Sequence, residues 1–110
     1  MDIDWAYLRK GWVSCKKAQK YFEQNNIGLK STSDARKEKI GKGQAWELIS
    51  GPRTVYIGKG KKVLSFEPDE INKEVILKAA LGRTGKLRAP AIKTKLAIFI
   101  GFNDNIYSKL

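Results

Sequence analysis

Cys15 is the one residue in this sequence that is reactive by itself, and its neighbours Ser14, Lys16 and Lys17 set out what it could do. Ser14 can cap a helix that begins here, which puts the thiol in the first helical turn. A thiol in that position lies near unpaired backbone N–H groups and the positive end of the helix dipole, and both favour thiolate. Lys16 and Lys17 add positive charge beside it. The same turn is a cradle for a small anion, so one place could serve a nucleophile and an oxyanion substrate. A buried structural cysteine is the competing reading. With a single cysteine no disulfide can form within the chain, and with no histidine a Cys/His zinc site and catalysis by a Ser/His or Cys/His pair are excluded.

The elements that must position this turn can be read from periodicity and breakers. Ile3 to Leu8 alternate and carry aromatics, as a first strand does. Gly11 ends it, and Ala18, Tyr21 and Phe22 recur at helical spacing until Asn25, Asn26 and Gly28. An extended piece from Ile27 to Thr32 reads as a second strand. Ser33 then caps a helix over Asp34 to Ile49, facing inward with Ile40, Ala45, Leu48 and Ile49 and weakened by Gly41 and Gly43. Val55–Ile57 and Val63–Phe66 flank Gly58-Lys59-Gly60-Lys61 as a hairpin. Pro68, Asp69 and Glu70 suit the first turn of a helix with Ile71, Val75 and Ala79 as its stripe and Gly82 as its stop. Leu96 to Ile100 reads as a buried strand closed by Gly101, and Asn103 to Leu110 as a short terminal helix or tail. This order predicts an α/β fold in one domain over residues 1–110, a mixed sheet of about four strands with helices on both faces.

Composition bounds the rest. The 110 residues carry 22 Lys and Arg against 11 Asp and Glu, a net charge of +11 that attracts anions from phosphate to nucleic acid. The cations are spread from Arg9 to Lys109 without a dense basic arm, so a solvated basic surface is preferred to a nucleic-acid face. No run approaches the ~20 apolar residues that span a bilayer, and Met1-Asp2-Ile3-Asp4 lacks the features of a signal peptide, so the expected compartment is the cytoplasm with no membrane partner. Gly82-Arg83-Thr84-Gly85-Lys86-Leu87 fails the phosphate-loop pattern in both its glycine spacing and the residue after its lysine. Gly41-Lys42-Gly43 and Gly58-Lys59-Gly60 have no dinucleotide spacing. Trp5, Tyr7 and Trp12 lack the strand signature of an RNA-stacking platform.

The segment from Tyr7-Leu8-Arg9-Lys10-Gly11-Trp12 to Val13-Ser14-Cys15-Lys16-Lys17-Ala18-Gln19 resembles the active-site strand, turn and helix of the arsenate reductase family, a thioredoxin-fold group that includes the Spx-type transcriptional regulators. Gly82 to Ala91, with Leu87-Arg88-Ala89-Pro90, is similar to the stretch in which that family places an arginine just before a proline. Ile100-Gly101-Phe102-Asn103 is similar to its closing strand. The resemblance spans nearly the whole chain and implies a thioredoxin-like fold in which Pro90 is a cis-proline facing the thiol turn. It also implies that Arg88, whose guanidinium donates in a fork, binds an oxyanion or stabilises a thiolate. Surface solvation is the alternative for Arg88 and the preferred reading for Arg53 and Arg9.

One position departs from the pattern. Redox-active members carry Cys-x-x-Cys or Cys-x-x-Ser with the attacking thiol first, and here that place is Trp12, which cannot be a nucleophile. Trp12 either belongs to a non-catalytic relative or one relying on Cys15 alone, or replaces a cysteine whose codon differs by one base, or stands where UGA encodes selenocysteine, as some relatives in this group look like selenoproteins here. An aromatic packed over the loop is the plain structural reading. The function implied is a thiol-dependent oxidoreductase with Cys15 and position 12 as its redox pair, without a cofactor or metal, using thioredoxin, glutaredoxin or glutathione as reductant. The alternative is an Spx-type regulator that docks on RNA polymerase or another protein, with Cys15 sensing oxidants; a charge-driven nucleic-acid binder is the weakest option.

Overall fold

The computed structural model of the chain describes residues 2–103 and 105–110. Met1, and Asp104 within the expected terminal segment, lie outside the described residues. The architecture is α/β. A six-stranded mixed sheet forms from β2 (Trp5–Leu8), β4 (Thr32–Asp34), β5 (Thr54–Lys59), β6 (Lys62–Phe66), β7 (Ala91–Lys93) and β8 (Ala97–Ile100), in the order β4-β2-β7-β8-β5-β6. A small parallel pair, β1 (Asp2–Ile3) with β3 (Gly28–Leu29), stands beside it. The helices are α1 (Val13–Gln24), α2 (Lys42–Ser50) and α3 (Lys73–Ala80), with a closing 3₁₀ turn at Ile106–Lys109.

The expected sheet of about four strands is thus too small. The first expected strand breaks at Asp4, which diverts Asp2–Ile3 to pair with Gly28–Leu29, and the expected second strand divides into β3 and β4. The two hairpin strands and β8 form close to where they are expected, and the strand without a sequence expectation is β7. The hairpin's two-residue loop is Gly60-Lys61, between Lys59 and Lys62, and Gly60 takes φ 61°, the left-handed conformation such tight turns demand.

Period-two alternation sorts the side chains between two cores. Tyr7, Val55, Ile57, Ile98 and Ile100 point toward α2 and α3, while Ala6, Tyr56, Ala97 and Phe99 point toward α1 and the 3₁₀ turn. Helices therefore cover both faces. β8 is buried along its whole length because it lies between two strands and two helical layers, which is why its sequence reads as an unbroken apolar run. Leu96, expected to open that strand, is instead 65% exposed in the turn before it.

Two helices differ from their sequence reading. The stretch after Asp34 stays irregular as far as Gly41, the N-cap residue of α2, so only the second half of the expected helix forms. The expected α3 stripe is out of phase. Ile71 is 90% exposed and Val75 55% exposed, whereas Ile76, Leu77 and Ala80 are buried. The Asn72 N–H bonds Asp69 Oδ1 at 2.8 Å, a turn that leaves Pro68 to Ile71 outside the helix. Apolar residues adjacent in sequence allow either helical face to turn inward, and packing against the sheet selects the one through Ile76.

Candidate functional site

β2, the turn that follows it and α1 carry the thiol. The turn passes through Gly11 at φ 90°, and α1 begins with Trp12 as its N-cap residue, φ −78° and ψ 135°; the Trp12 carbonyl accepts the first helical hydrogen bond from the Lys16 N–H at 3.0 Å. Ser14, expected to cap, is instead the second helical residue, and no side chain caps α1. Cys15, Ala18 and Phe22 form the buried stripe of the helix.

Positions 12 and 15 are therefore unlike. Trp12 is 44% exposed and Cys15 only 2%. The Arg9 N–H donates to Cys15 Sγ at 3.2 Å, and the Arg9 guanidinium lies over the Trp12 indole, 4.3 Å from the ring centroid. Burial pushes the Cys15 thiol above its ordinary pKa, and the Arg9 N–H and charge, which pull it down, do not overcome that. The thiolate that a helix start favours is thus opposed by desolvation. The charge acting on the thiol is Arg9 rather than Lys16 or Lys17, which are both exposed.

The opposing wall is the loop from Gly82 to Ala89. It is held by the Leu81–Leu87 bridge, by Gly82 N–H to Lys86 O at 2.7 Å and by Leu87 N–H to Ile40 O at 2.8 Å. The Ala89–Pro90 peptide is cis, Pro90 is buried at the entry to β7, and its carbonyl accepts from the Gly101 N–H at 2.8 Å.

Between the walls lies a cleft of about 500 Å³. Trp12, Ser14 and Arg9 line it from one side, Arg83, Lys86, Arg88 and Ala89 from the other, and Tyr7, Ala35 and Lys39 close it. Among the described residues no carboxylate side chain lines it. Cys15 and Lys16 face a separate hollow of about 460 Å³ with Gln19 and Asp34, and among the described residues only Arg9 reaches both. The structure therefore brings Trp12, Ser14 and Arg88 to one cleft with Ala89, the residue bonded to Pro90, and sets Cys15 with Lys16 on the other side of the turn.

Arg88 is tied back. Its Nη1 donates to the carbonyls of Gly58 at 3.0 Å and Ala79 at 3.2 Å, so that group of the guanidinium serves β5 and the end of α3, and burial lowers its pKa. Arg53 lies outside the cleft and the hollow, whereas Arg9, expected like Arg53 to be a solvated surface residue, touches both Trp12 and Cys15. Lys39 and Lys86 have no local sequence signal; the loop and the segment before α2 bring them in from a distance.

Such a cleft can hold an anion between Arg9, Lys39, Arg83 and Lys86, against the exposed face of residue 12. Among the described residues no cluster of three or more His, Cys, Asp or Glu side chains could hold a metal ion, and no helix is long and apolar enough to cross a membrane. No protein-family model matches the chain, and no curated protein matches it.

Proposed function

We propose that this is the site of a thiol-dependent oxidoreductase of the arsenate reductase type, in which the reacting atom belongs at position 12 and Cys15 is the second thiol of the pair. The observation that carries it is the contrast between an exposed N-cap position, 44% accessible over a cationic cleft, and a 2% accessible sulfur three residues later. A redox pair needs that asymmetry: one chalcogen reachable by substrate, the other held back until the first has reacted. The thioredoxin-like reading is supported by the parallel β2–α1–β4 unit, the antiparallel β7–β8 pair and the cis Ala89–Pro90 bond at the entry to β7. The cations of the cleft favour an oxyanion or another anionic substrate.

In the reaction two thiol-level groups lose two electrons and two protons and become joined, while the substrate accepts the electrons. Thioredoxin, glutaredoxin or glutathione then returns them. Tryptophan at position 12 cannot take part, so the pair is complete only with sulfur or selenium there.

The test is Trp12→Cys. Thiol titration after mild oxidation, followed by treatment with reduced glutathione, should show both thiols disappearing together and returning together. Two thiols that stay free under oxidant, in a folded variant, would overturn the proposal. A UGA codon at position 12 of the source gene would give the natural pair as selenium and sulfur, and a tryptophan codon would not.

A second reading, an Spx-type docking protein without turnover, is favoured by the exposed Trp12 and Val13 at the start of α1 together with the raised pKa of Cys15. It predicts co-purification of the unaltered chain with RNA polymerase or another protein.

A further inference from the structure

At the opposite end of the sheet from the Trp12 turn is a groove of about 610 Å³, which shares no lining residue with the cleft or the Cys15 hollow. It opens where β5 and β8 begin, with Thr54 opposite Ala97 and Tyr56 opposite Phe99 in parallel register. Its aromatic lining is the half-buried Tyr56, which stacks on the core residue Phe99 with ring centroids 5.0 Å apart and planes 20° from parallel. Leu96, 65% exposed, gives it an apolar flank.

Its rim is cationic. Lys30 is engaged by Asp4 at 3.6 Å, but among the described residues no carboxylate lies within ion-pair distance of Arg53 or Lys95. The backbone holds Arg53 in place, because the N–H groups of Arg53 and Thr54 both donate to the Leu96 carbonyl, at 3.0 and 3.2 Å. The chain at Arg53 therefore runs beside Leu96, the neighbour of Lys95, and both exposed cations line the groove. The volume falls within the range of small-molecule sites, roughly 300–1,000 Å³, and the combination of apolar lining and few convergent charges is typical of them.

We propose that this groove binds a planar aromatic carboxylate, its ring over Tyr56 and its carboxylate between Arg53 and Lys95. A guanidinium matches a carboxylate through two parallel N–H donors, and a lysine beside it adds a point charge. A flat ring can stack on Tyr56 and so extend the Tyr56–Phe99 pair by one ring.

The experiment titrates 2-naphthoate into the full chain and follows backbone amide shifts by NMR. Saturable shifts at Thr54, Tyr56, Lys95 and Leu96, with the amides of Trp12 and Arg83 unmoved, are expected. The uncharged 2-naphthamide, and 2-naphthoate with the Arg53→Gln/Lys95→Gln variant, should each bind at least about tenfold more weakly, since one charge-assisted hydrogen bond alone is worth about that factor. Because the amide analogue uses the unaltered chain, the charge requirement is tested even if the variant folds poorly. The proposal is overturned if shifts do not saturate, if they centre on the Trp12 cleft, or if decanoate binds as tightly as 2-naphthoate.

Discussion

The guanidinium of Arg88 packs against Gly101 so closely that a Cβ at position 101 would lie 2.8 Å from Nη2. Gly101 also has φ 80°, and its N–H holds the Pro90 carbonyl. Arg88 therefore joins four parts of the chain: its own loop, β5 through Gly58, the end of α3 through Ala79, and the end of β8. Gly101→Ala meets both a strained backbone and a clash with a half-buried, hydrogen-bonded group, and should cost about 2–4 kcal/mol by urea unfolding. Arg88→Met, which keeps the stem but leaves two carbonyls without their donor, should cost about 1–3 kcal/mol. If Arg88 served chiefly as an anion binder, Arg88→Met would leave the unfolding midpoint unchanged and weaken only the binding of oxyanions.

The thiol carries a pH dependence of definite sign. Burial raises the pKa of Cys15, and also of Tyr7 and Tyr107, above their ordinary values near 8.5 and 10. Above the unfolded pKa the unfolded chain has lost a proton that the folded chain still holds, so stability falls with rising pH. The contribution of Cys15 is fully present below about pH 8.5 and is lost as the pH climbs toward the folded value; the tyrosines follow above about pH 10. Urea midpoints should be level from pH 6 to 8 and decline from about pH 9, and Cys15→Ala should remove the first part of that decline. Alkylation of Cys15 by iodoacetamide should likewise have its midpoint above that of a free thiol. A midpoint below it would mean that the helix start outweighs burial.

How far the sequence reached depends on the range of the forces involved. Some local signals held, as at Gly60 in the hairpin, the start of α1 beside Cys15 and the buried run of β8, whereas Ser14 and Ser33 do not cap helices and Pro68-Asp69-Glu70 do not open α3. The phase of α3 was not legible, because Val75 and Ile76 are both apolar and only the sheet decides which faces inward. Nor could spacing reveal that Arg9 would stack on Trp12 while Arg88 turned toward Gly58 and Ala79. A guanidinium's target is set by carbonyls that arrive from other elements. The same holds for the aromatic groove, whose lining joins Tyr56 and Phe99 from strands that are far apart in sequence.

Arg9 offers a way to separate charge from hydrogen bonding at the thiol. The donor to Cys15 Sγ is the Arg9 backbone N–H, which any residue but proline would keep, whereas the guanidinium contributes charge and the contact with Trp12. Arg9→Met should raise the Cys15 pKa further, slowing alkylation at a fixed pH near 8. It should also remove a cation–π contact of about 0.5–1 kcal/mol. Unchanged alkylation would mean that solvent screens the guanidinium from the sulfur.

Tyr107 is a site where removing a polar atom should help the fold. Its ring is packed among Tyr21, Phe22, Phe99 and Phe102, with centroids 5.3 to 6.4 Å away, and its hydroxyl is buried with no hydrogen-bond partner among the described residues. A hydroxyl desolvated without compensation costs about 1–3 kcal/mol, while the rest of the ring provides apolar burial that phenylalanine keeps in full. Tyr107→Phe should therefore leave the aromatic packing intact, raise the urea midpoint by the equivalent of about 1 kcal/mol, and remove the alkaline contribution of this phenol. Its carbonyl, which accepts from the Tyr21 hydroxyl at 3.4 Å, belongs to the backbone and is untouched by the change. A drop in stability of similar size would instead show that the hydroxyl has a partner in solution.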